Sequence, residues 1–361
     1  LQVVAALDED ALAGGPADAA EKLRGDDEFF SVLPSSVRIF AKTRQNGQNL
    51  RGAPLEVRSA RDYLLNNFSL DSCRHKASEN KIRASAKAES SKNRKNTETV
   101  ISVREAWFRY EKDSKDILCG MNFDVHAGEL TCIVGGNGAG KTTALLTAAG
   151  VFAPYRGKVK YRGKPISTFR KDKGSAGKIG VLVQNPLCCF VMDSVAEELE
   201  ATAKAYKLPR SGIEEVIDIM QLQSVLGSNP YDISGGELQR AAIAKLLLPE
   251  PEVIFLDEAT KGMDAFFKAE FGALLRRLAA RGTAIVLVSH DIEFCAEFAD
   301  RCAMFFNGTV IAEGTPQDVF LGNSFYTTSA CRISRGIIPD ALTSEQIIDY
   351  ANRCERKKND A

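Results

Sequence analysis

Apolar and polar residues in the middle of the chain follow patterns that predict β-strands. Residues 121–125 (MNFDV) alternate apolar with polar side chains, which is the period of two typical of a half-buried strand. Residues 130–134 (LTCIV) predict a second strand, which is followed by glycine. The runs at 253–256 and 285–288 are rich in β-branched residues, and each is followed by a polar or charged residue. We expect these two runs to be buried parallel strands.

Stretches with helical character alternate with these strands, for example at 144–149 and 266–280. Strands that alternate with helices favour an α/β sheet, in which binding groups gather at the carboxyl ends of the parallel strands. The fold class predicted from the pattern is therefore α/β.

Composition narrows the class of protein further. The 361 residues are 44% hydrophobic, enough to close a substantial core, and they carry 47 Lys and Arg against 47 Asp and Glu. A balanced charge does not favour nucleic acid or anionic lipid as the main partner. No run of roughly 18 apolar residues predicts a membrane span. The nine cysteines include no CxxC pair, so we expect free thiols in a reducing cytosol rather than a zinc site.

One basic segment departs from this balance. Residues 74–95 carry eight Lys and Arg against two Glu and almost no large apolar side chain. This composition predicts a basic, flexible linker, which we place at residues 70–97. Contact with phosphate backbones or acidic lipid heads stays open as the alternative.

A glycine-rich loop at residues 135–143 (GGNGAGKTT) fits the pattern GxxxxGK[ST] between a predicted strand and a predicted helix, which is the context of a P-loop. Glycines let backbone N–H groups turn inward onto phosphates, the lysine adds a positive charge, and the following threonine hydroxyl suits Mg²⁺. The candidate ligands of nucleotide or cation are Gly135, Gly136, Asn137, Gly138, Ala139, Gly140, Lys141, Thr142 and Thr143.

Two adjacent carboxylates follow the predicted strand in VIFLDEAT, residues 253–260. Asp257 is placed to hold Mg²⁺, and Glu258 to act as the general base on the attacking water. Alone, such a pair is often a solvated turn, and its weight comes from the P-loop upstream.

A second anion-binding helix end is predicted by ISGGELQRAAIA at 233–244, which places Ser234, Gly235 and Gly236 before an amphipathic helix. With this motif the chain resembles the ABC ATPase family, whose signature reads LSGGQ, and the resemblance covers residues 98–325. It implies a P-loop NTPase cassette with a RecA-like core, an antiparallel β subdomain and a helical subdomain that carries the signature.

The resemblance assigns further residues to roles. Tyr110 matches the aromatic residue that stacks on adenine, with Phe108 as the alternative. Gln184 matches the glutamine that contacts Mg²⁺ and water and senses the membrane partner. Asp264 matches the loop that crosses to the opposite site, and His290 matches the histidine on the γ-phosphate, so the catalytic residues implied are Glu258, His290 and Gln184.

Three positions depart from the family pattern. Ala259, Met263 and Glu237 stand where the family commonly has Pro, Leu and Gln. None removes a reacting group, but Glu237 is expected to alter how the signature meets the γ-phosphate.

Segments such as DEATKGMDAFFK and GNSFYTTSACRISRGIIPDALT resemble one branch, the energy-coupling-factor (ECF) importers of vitamins and transition-metal ions, in particular their double-cassette ATPases. The resemblance implies ATP and Mg²⁺ as cofactors, and a second cassette, a transmembrane coupling protein and a substrate-capture membrane protein as partners, with no nucleic acid. It also implies a place on the cytoplasmic face of the cell membrane. The competing classes are a soluble ABC protein acting on ribosomes or DNA and a regulator without turnover, which Glu258 and His290 disfavour.

An internal repeat indicates how the chain is divided. Residues 5–18 resemble 303–318, and the likeness continues through three matched groups downstream: Phe29 and Phe30 with Phe325 and Tyr326; Ser35, Arg38 and Ile39 with Ser329, Arg332 and Ile333; Leu55, Asp62 and Tyr63 with Leu342, Asp349 and Tyr350. Chance similarity among polar turns stays open. We expect residues 1–69 to be the tail of a preceding cassette, 70–97 the linker, 98–325 the cassette and 326–361 a C-terminal tail. The start at Leu1, inside an apolar run, indicates a fragment.

Overall fold

The computed structural model describes residues 33–44, 53–68, 98–323, 325–338 and 340–354. In these ranges the strands are β1 (Thr99–Phe108), β2 (Leu118–His126), β3 (Leu130–Gly135), β4 (Arg156–Tyr161), β5 (Lys164–Pro165), β6 (Ile179–Leu182), β7 (Val253–Asp257), β8 (Ala284–Val288), β9 (Arg301–Phe306) and β10 (Thr309–Gly314). The helices are α1 (Ser35–Thr43), α2 (Val57–Asn67), α3 (Lys141–Ala148), α4 (Ile166–Phe169), α5 (Val195–Tyr206), α6 (Arg210–Met220), α7 (Gly235–Leu247), α8 (Ala265–Ala280), α9 (Ile292–Phe298), α10 (Pro316–Phe320), α11 (Ser329–Ser334) and α12 (Ser344–Arg353).

The larger sheet has six strands in the order β10-β9-β3-β8-β7-β6, all parallel except the edge strand β10. Every residue of β3, β7 and β8 is buried, which confirms the two parallel strands predicted from their apolar runs. Because these three strands are neighbours and run the same way, their carboxyl ends open onto one edge of the sheet. Gly135, Asp257 and Ser289 follow or end these strands at that edge.

The smaller sheet is antiparallel, with the strand order β2-β1-β4-β5. Met121, Phe123 and Val125 of β2 are buried, as the alternation of apolar and polar residues predicts, and they share one hydrophobic core with Ile133 of β3 and Leu145 of α3. The α/β cassette with an antiparallel β subdomain is therefore confirmed.

Helices α5, α6 and α7 form a helical subdomain whose buried side chains include Leu199, Met220 and Ile243. A buried ion pair joins two of these helices, because Lys245 Nζ on α7 lies 2.5 Å from Glu198 Oε2 on α5. The other carboxylate oxygen of Glu198 accepts hydrogen bonds from the backbone N–H groups of Val191 and Met192. The loop that follows the strand β6 is thereby tied to the helical subdomain.

The two ends of the described chain pack together. Helix α1 contacts α12 and helix α2 contacts α11, around a core that includes Ile39, Leu64, Ile333 and Ile347. The guanidinium of Arg61 donates to the carbonyl oxygen of Ile333 at 3.3 Å, which ties α2 to the end of α11. No described helix is long and apolar enough to cross a membrane.

The positions of these helices follow the internal repeat. Helices α1 and α11 begin at the matched serines 35 and 329, and α2 and α12 each begin two residues after the matched leucines 55 and 342. The first helix of each repeat packs on the second helix of the other, as in a pair of like units. Residues 5–18 and the predicted linker at 70–97 lie outside the described residues.

Candidate functional site

The glycine-rich loop runs from the end of β3 to the start of α3. A Cβ atom on Gly135 would lie 2.3 Å from the carbonyl oxygen of Phe305, and one on Gly140 would lie 2.9 Å from that of Ile117. Gly140 also has a φ of +99°, which disfavours other residues. The close approach of β9 and of the residue before β2 therefore explains why glycine occupies both ends of the loop.

Lys141 is buried inside the curve of this loop. Its Nζ donates to the carbonyl oxygens of Gly135 at 2.9 Å and Gly136 at 2.8 Å. Burial lowers the pKa of Lys141, while the nearby carboxylates of Glu258 and Asp257 act in the opposite direction. The ammonium group is held at the place where phosphate oxygens would meet the loop.

Thr142 and Asp257 meet across the sheet edge, where the threonine hydroxyl donates to Asp257 Oδ2 at 2.7 Å. Asp257 Oδ1 is buried and has no hydrogen-bond partner among the described residues. Burial raises the pKa of Asp257, and the charge of Glu258 adds to that effect. A hydroxyl and a carboxylate with one unpartnered oxygen are hard oxygen groups of the kind that Mg²⁺ prefers, so the residues present fit this cation.

Glu258, Gln184 and His290 converge on one point, although they belong to different segments. Gln184 Nε2 donates to Glu258 Oε2 at 3.0 Å, and His290 Nε2 lies 3.1 Å from Glu258 Oε1. Glu258 has a φ of +53°, and its backbone N–H donates to the carbonyl oxygen of Val288 at 2.9 Å. This left-handed conformation costs of order 1–3 kcal/mol, which the surrounding contacts have to offset.

Tyr110 lies at the rim of a cavity of about 770 Å³. Its side chain is 60% exposed, and its hydroxyl lies 3.0 Å from Thr143 Oγ1. Phe108 instead stacks on Phe152 with ring centroids 5.0 Å apart, and it does not line the cavity. Of the two aromatic residues predicted to stack on adenine, the geometry favours Tyr110.

The cavity also brings together most of the residues that the sequence nominates. Its lining includes Asn137, Gly138, Gly140, Lys141, Thr142, Thr143, Gln184, Glu258 and His290. Ser234, Gly235, Gly236 and Asp264 do not line it. The P-loop and the signature of this chain therefore face different spaces.

Ser234 and Asp264 both cap helices. The Ser234 side chain accepts from the N–H of Glu237 at the start of α7, and Asp264 Oδ1 accepts from the N–H of Phe267 at 2.8 Å at the start of α8. A Cβ on Gly236 would lie 3.2 Å from the carbonyl oxygen of Gly262, so the signature abuts the loop that precedes Asp264. Both segments lie side by side on the exposed surface.

Some cavity residues are missed by sequence reasoning. Lys261 is exposed and lines the cavity, and Lys268 pairs with Asp291 at 2.8 Å on its wall. The motif KGMD contains the signal for Lys261, because its lysine stands three residues after Glu258 at the end of the same strand. Lys268 carries no local signal, since it lies in the amphipathic helix α8.

Comparisons with known proteins agree with this geometry. The family model described as ABC transporter matches residues 118–261. The energy-coupling factor transporter ATP-binding protein EcfA of Methanocaldococcus jannaschii is 33% identical over 226 residues, which cover 61% of this chain and 81% of that protein. The chain belongs to the family of ABC transporter ATP-binding proteins.

Two further comparisons give the extent of the match to ABC proteins. A putative ABC transporter ATP-binding protein of Bacillus thuringiensis subsp. konkukian is 35% identical over 338 residues, which cover 93% of this chain but 58% of that relative. The structure of cbiO1 from Clostridium perfringens, part of the ABC transporter complex cbiONQ, matches with 30% identity and a TM-score of 0.55, covering 62% of this chain and 92% of that one. The chain thus spans about half the length of the first curated relatives it matches.

Proposed function

We propose that this chain hydrolyses ATP as a subunit of an ECF-type ABC importer and powers uptake of a vitamin or a transition-metal ion. The observation that carries the proposal is the convergence of Lys141, Thr142, Glu258 and His290 on one cavity, with Asp257 bonded to the Thr142 hydroxyl behind it. The ECF type is supported by the likeness to EcfA and to cbiO1, which is part of a transporter complex.

The geometry supports a division of roles within the cavity. The backbone of residues 135–143 and Lys141 bind the phosphates, Tyr110 stacks on the base, and Thr142, Gln184 and Asp257 hold Mg²⁺, which neutralises phosphate charge when it is bound. Glu258 polarises the attacking water as general base, and His290 contacts the γ-phosphate. Gln184 and His290 both hold the Glu258 carboxylate, so they also fix the orientation of the base.

Ser234, Gly235 and Gly236, together with Asp264, serve a second cassette in this proposal. These residues are exposed or half-buried beside one another and do not line the chain's own cavity. An ATP molecule would therefore be held between the P-loop of one cassette and the signature of another, so ATP binding joins two cassettes and hydrolysis lets them part.

The partner cassette is proposed to precede this one on the same polypeptide. Residues 33–68 repeat the helices of residues 325–354 and pack against them through apolar contacts and Arg61. These residues, as part of segment 1–69, would then be the tail of that cassette, and residues 70–97 the tether that keeps the two at high effective concentration.

The membrane partners are proposed to dock beside Gln184. Val191 is 81% exposed and Met192 40% exposed, and both are fixed by the buried carboxylate of Glu198. Exposed apolar side chains on a rigid loop suit contact with another protein. A transmembrane coupling protein at this loop, with a substrate-capture protein beside it, would place the chain on the cytoplasmic face of the membrane and leave no role for nucleic acid.

The test is association with membrane proteins and the change in hydrolysis that follows. We would purify the chain with detergent extracts of its own cell membranes, identify the bound proteins by mass spectrometry and measure ATP hydrolysis with and without them. Val191→Glu is expected to abolish both binding and stimulation. Ile311→Glu, at another exposed apolar position, on the edge strand β10, is the matched control and is expected to change neither. Co-purification with ribosomes that salt disrupts, without membrane proteins, would contradict the proposal.

A further inference from the structure

We propose that the carboxylate of Glu237 opposes the ATP-dependent joining of two cassettes. This carboxylate accepts a hydrogen bond from the Ser234 hydroxyl. It also keeps a negative charge at the N-terminus of α7, where the γ-phosphate bound to a partner cassette has to arrive. The inference rests on the proposed function, because it assumes that Ser234 meets ATP bound to a second cassette.

The hydrogen bonds around Ser234 are satisfied within the signature itself. Ser234 Oγ donates to Glu237 Oε2 at 2.6 Å, and the Ser234 backbone N–H donates to the same oxygen at 2.9 Å. The Glu237 N–H donates back to Ser234 Oγ at 3.4 Å, which completes a capping box. For the Ser234 hydroxyl to donate to a phosphate, it has to leave Glu237.

The charge of Glu237 persists at neutral pH. Hydrogen bonds from the Ser234 side chain and backbone lower the pKa of Glu237, so the group is ionised wherever ATP carries its full charge. The positive charge of Arg240 also lowers the pKa of Glu237, and its guanidinium lies over the Phe267 ring at 5.0 Å from its centroid. Within the described ranges no ion pair shorter than 4.0 Å neutralises Glu237.

Two effects on anion binding therefore oppose each other at the N-terminus of α7. The exposed N–H groups and the dipole of the 13-residue helix α7 favour an anion, and the Glu237 carboxylate already satisfies part of that preference. A γ-phosphate that approaches Ser234 meets a like charge at contact range. At about 5 Å in an aqueous environment such repulsion weakens binding several-fold per site, and a pair of cassettes has two sites.

Substitution of Glu237 by glutamine separates the effect of its charge from that of its capping hydrogen bonds. Glu237→Gln keeps a carbonyl oxygen that can accept both bonds from Ser234, so the capping box survives while the charge is lost. Glu237→Ala removes both, so its difference from Glu237→Gln reports what the side-chain contact with Ser234 contributes. Glu214→Gln removes an exposed charge from α6 in the same subdomain and serves as the matched control.

The experiment measures MgATP-dependent association of the full chain by sedimentation velocity, in a Glu258→Gln background so that ATP is not consumed. We expect Glu237→Gln to lower the Kd of association roughly tenfold at low salt, with a smaller difference at high salt. Glu214→Gln is expected to leave the Kd unchanged, and Glu237→Ala, which removes the charge and also frees the Ser234 hydroxyl, to lower the Kd at least as much as Glu237→Gln.

The outcomes separate this inference from the proposed function. A Kd that Glu237→Gln leaves unchanged or raises, in chains that associate with MgATP, would overturn the inference and leave the composite site intact. If chains that bind MgATP do not associate at all, the composite site is wrong and the inference falls with it. An equal gain from Glu214→Gln would assign the effect to net charge and would also overturn the inference.

Discussion

The P-loop and the signature are both predicted to bind anions at the start of a helix, but they are built in opposite ways. At the P-loop, Lys141 is 7% exposed, and the carbonyl oxygens of Phe305 and Ile117 approach Gly135 and Gly140 so closely that a Cβ atom on either glycine would clash. The signature is exposed, and its serine is satisfied by Glu237, three residues along the same helix. Tertiary packing therefore shapes the P-loop, whereas the Ser234 hydroxyl is satisfied within its own helix and, under the proposed function, has to leave Glu237 to meet a phosphate.

The largest effect on activity is expected in the cavity beside the P-loop. Glu258→Gln should leave ATP binding intact and cut turnover by about 10² to 10⁴, because the general base is lost while the phosphate ligands remain. Hydrolysis under saturating MgATP, together with ATP binding by equilibrium dialysis, measures both quantities. Near-normal turnover in this variant would remove Glu258 from the role of base.

A smaller effect in the same cavity concerns the adenine ring of ATP. Tyr110→Ala should raise KM roughly tenfold with little change in kcat, since stacking stabilises ground and transition states alike and contributes ~1–3 kcal/mol. The control is Tyr155→Ala, another exposed tyrosine, which pairs with Asp116 and does not line the cavity. A fall in kcat at constant KM would show that the aromatic contact has another role.

The sequence predicts the P-loop well because the signals for it are local. The strand 130–134, the loop 135–143 and the following helix are contiguous, so the motif and its context can be recognised together. The convergence of Gln184 and His290 is not local, and it could be expected only because the resemblance assigns both residues to the same ATP site. The structure brings Gln184 and His290 to Glu258 and Asp257 to Thr142.

Other features depend on contacts that no pattern specifies. The repeat could be recognised from residues such as Ser35 and Ser329, but a repeat does not state that its copies pack on each other. The buried pair of Glu198 and Lys245 joins residues 47 positions apart in sequence, and the hydrogen bond from Ser234 to Glu237 depends on side-chain rotamers. These contacts required the three-dimensional structure.

The central claim, that this chain carries two halves of different ATP sites, is tested most directly by specific ATPase activity across a dilution series. The isolated chain can bring Lys141 and Ser234 together only by pairing with a second copy. The account therefore predicts that specific activity falls on dilution and that total rate rises more steeply than linearly with protein concentration. Specific activity that stays constant on dilution, from a chain shown to be monomeric with MgATP bound, would contradict it.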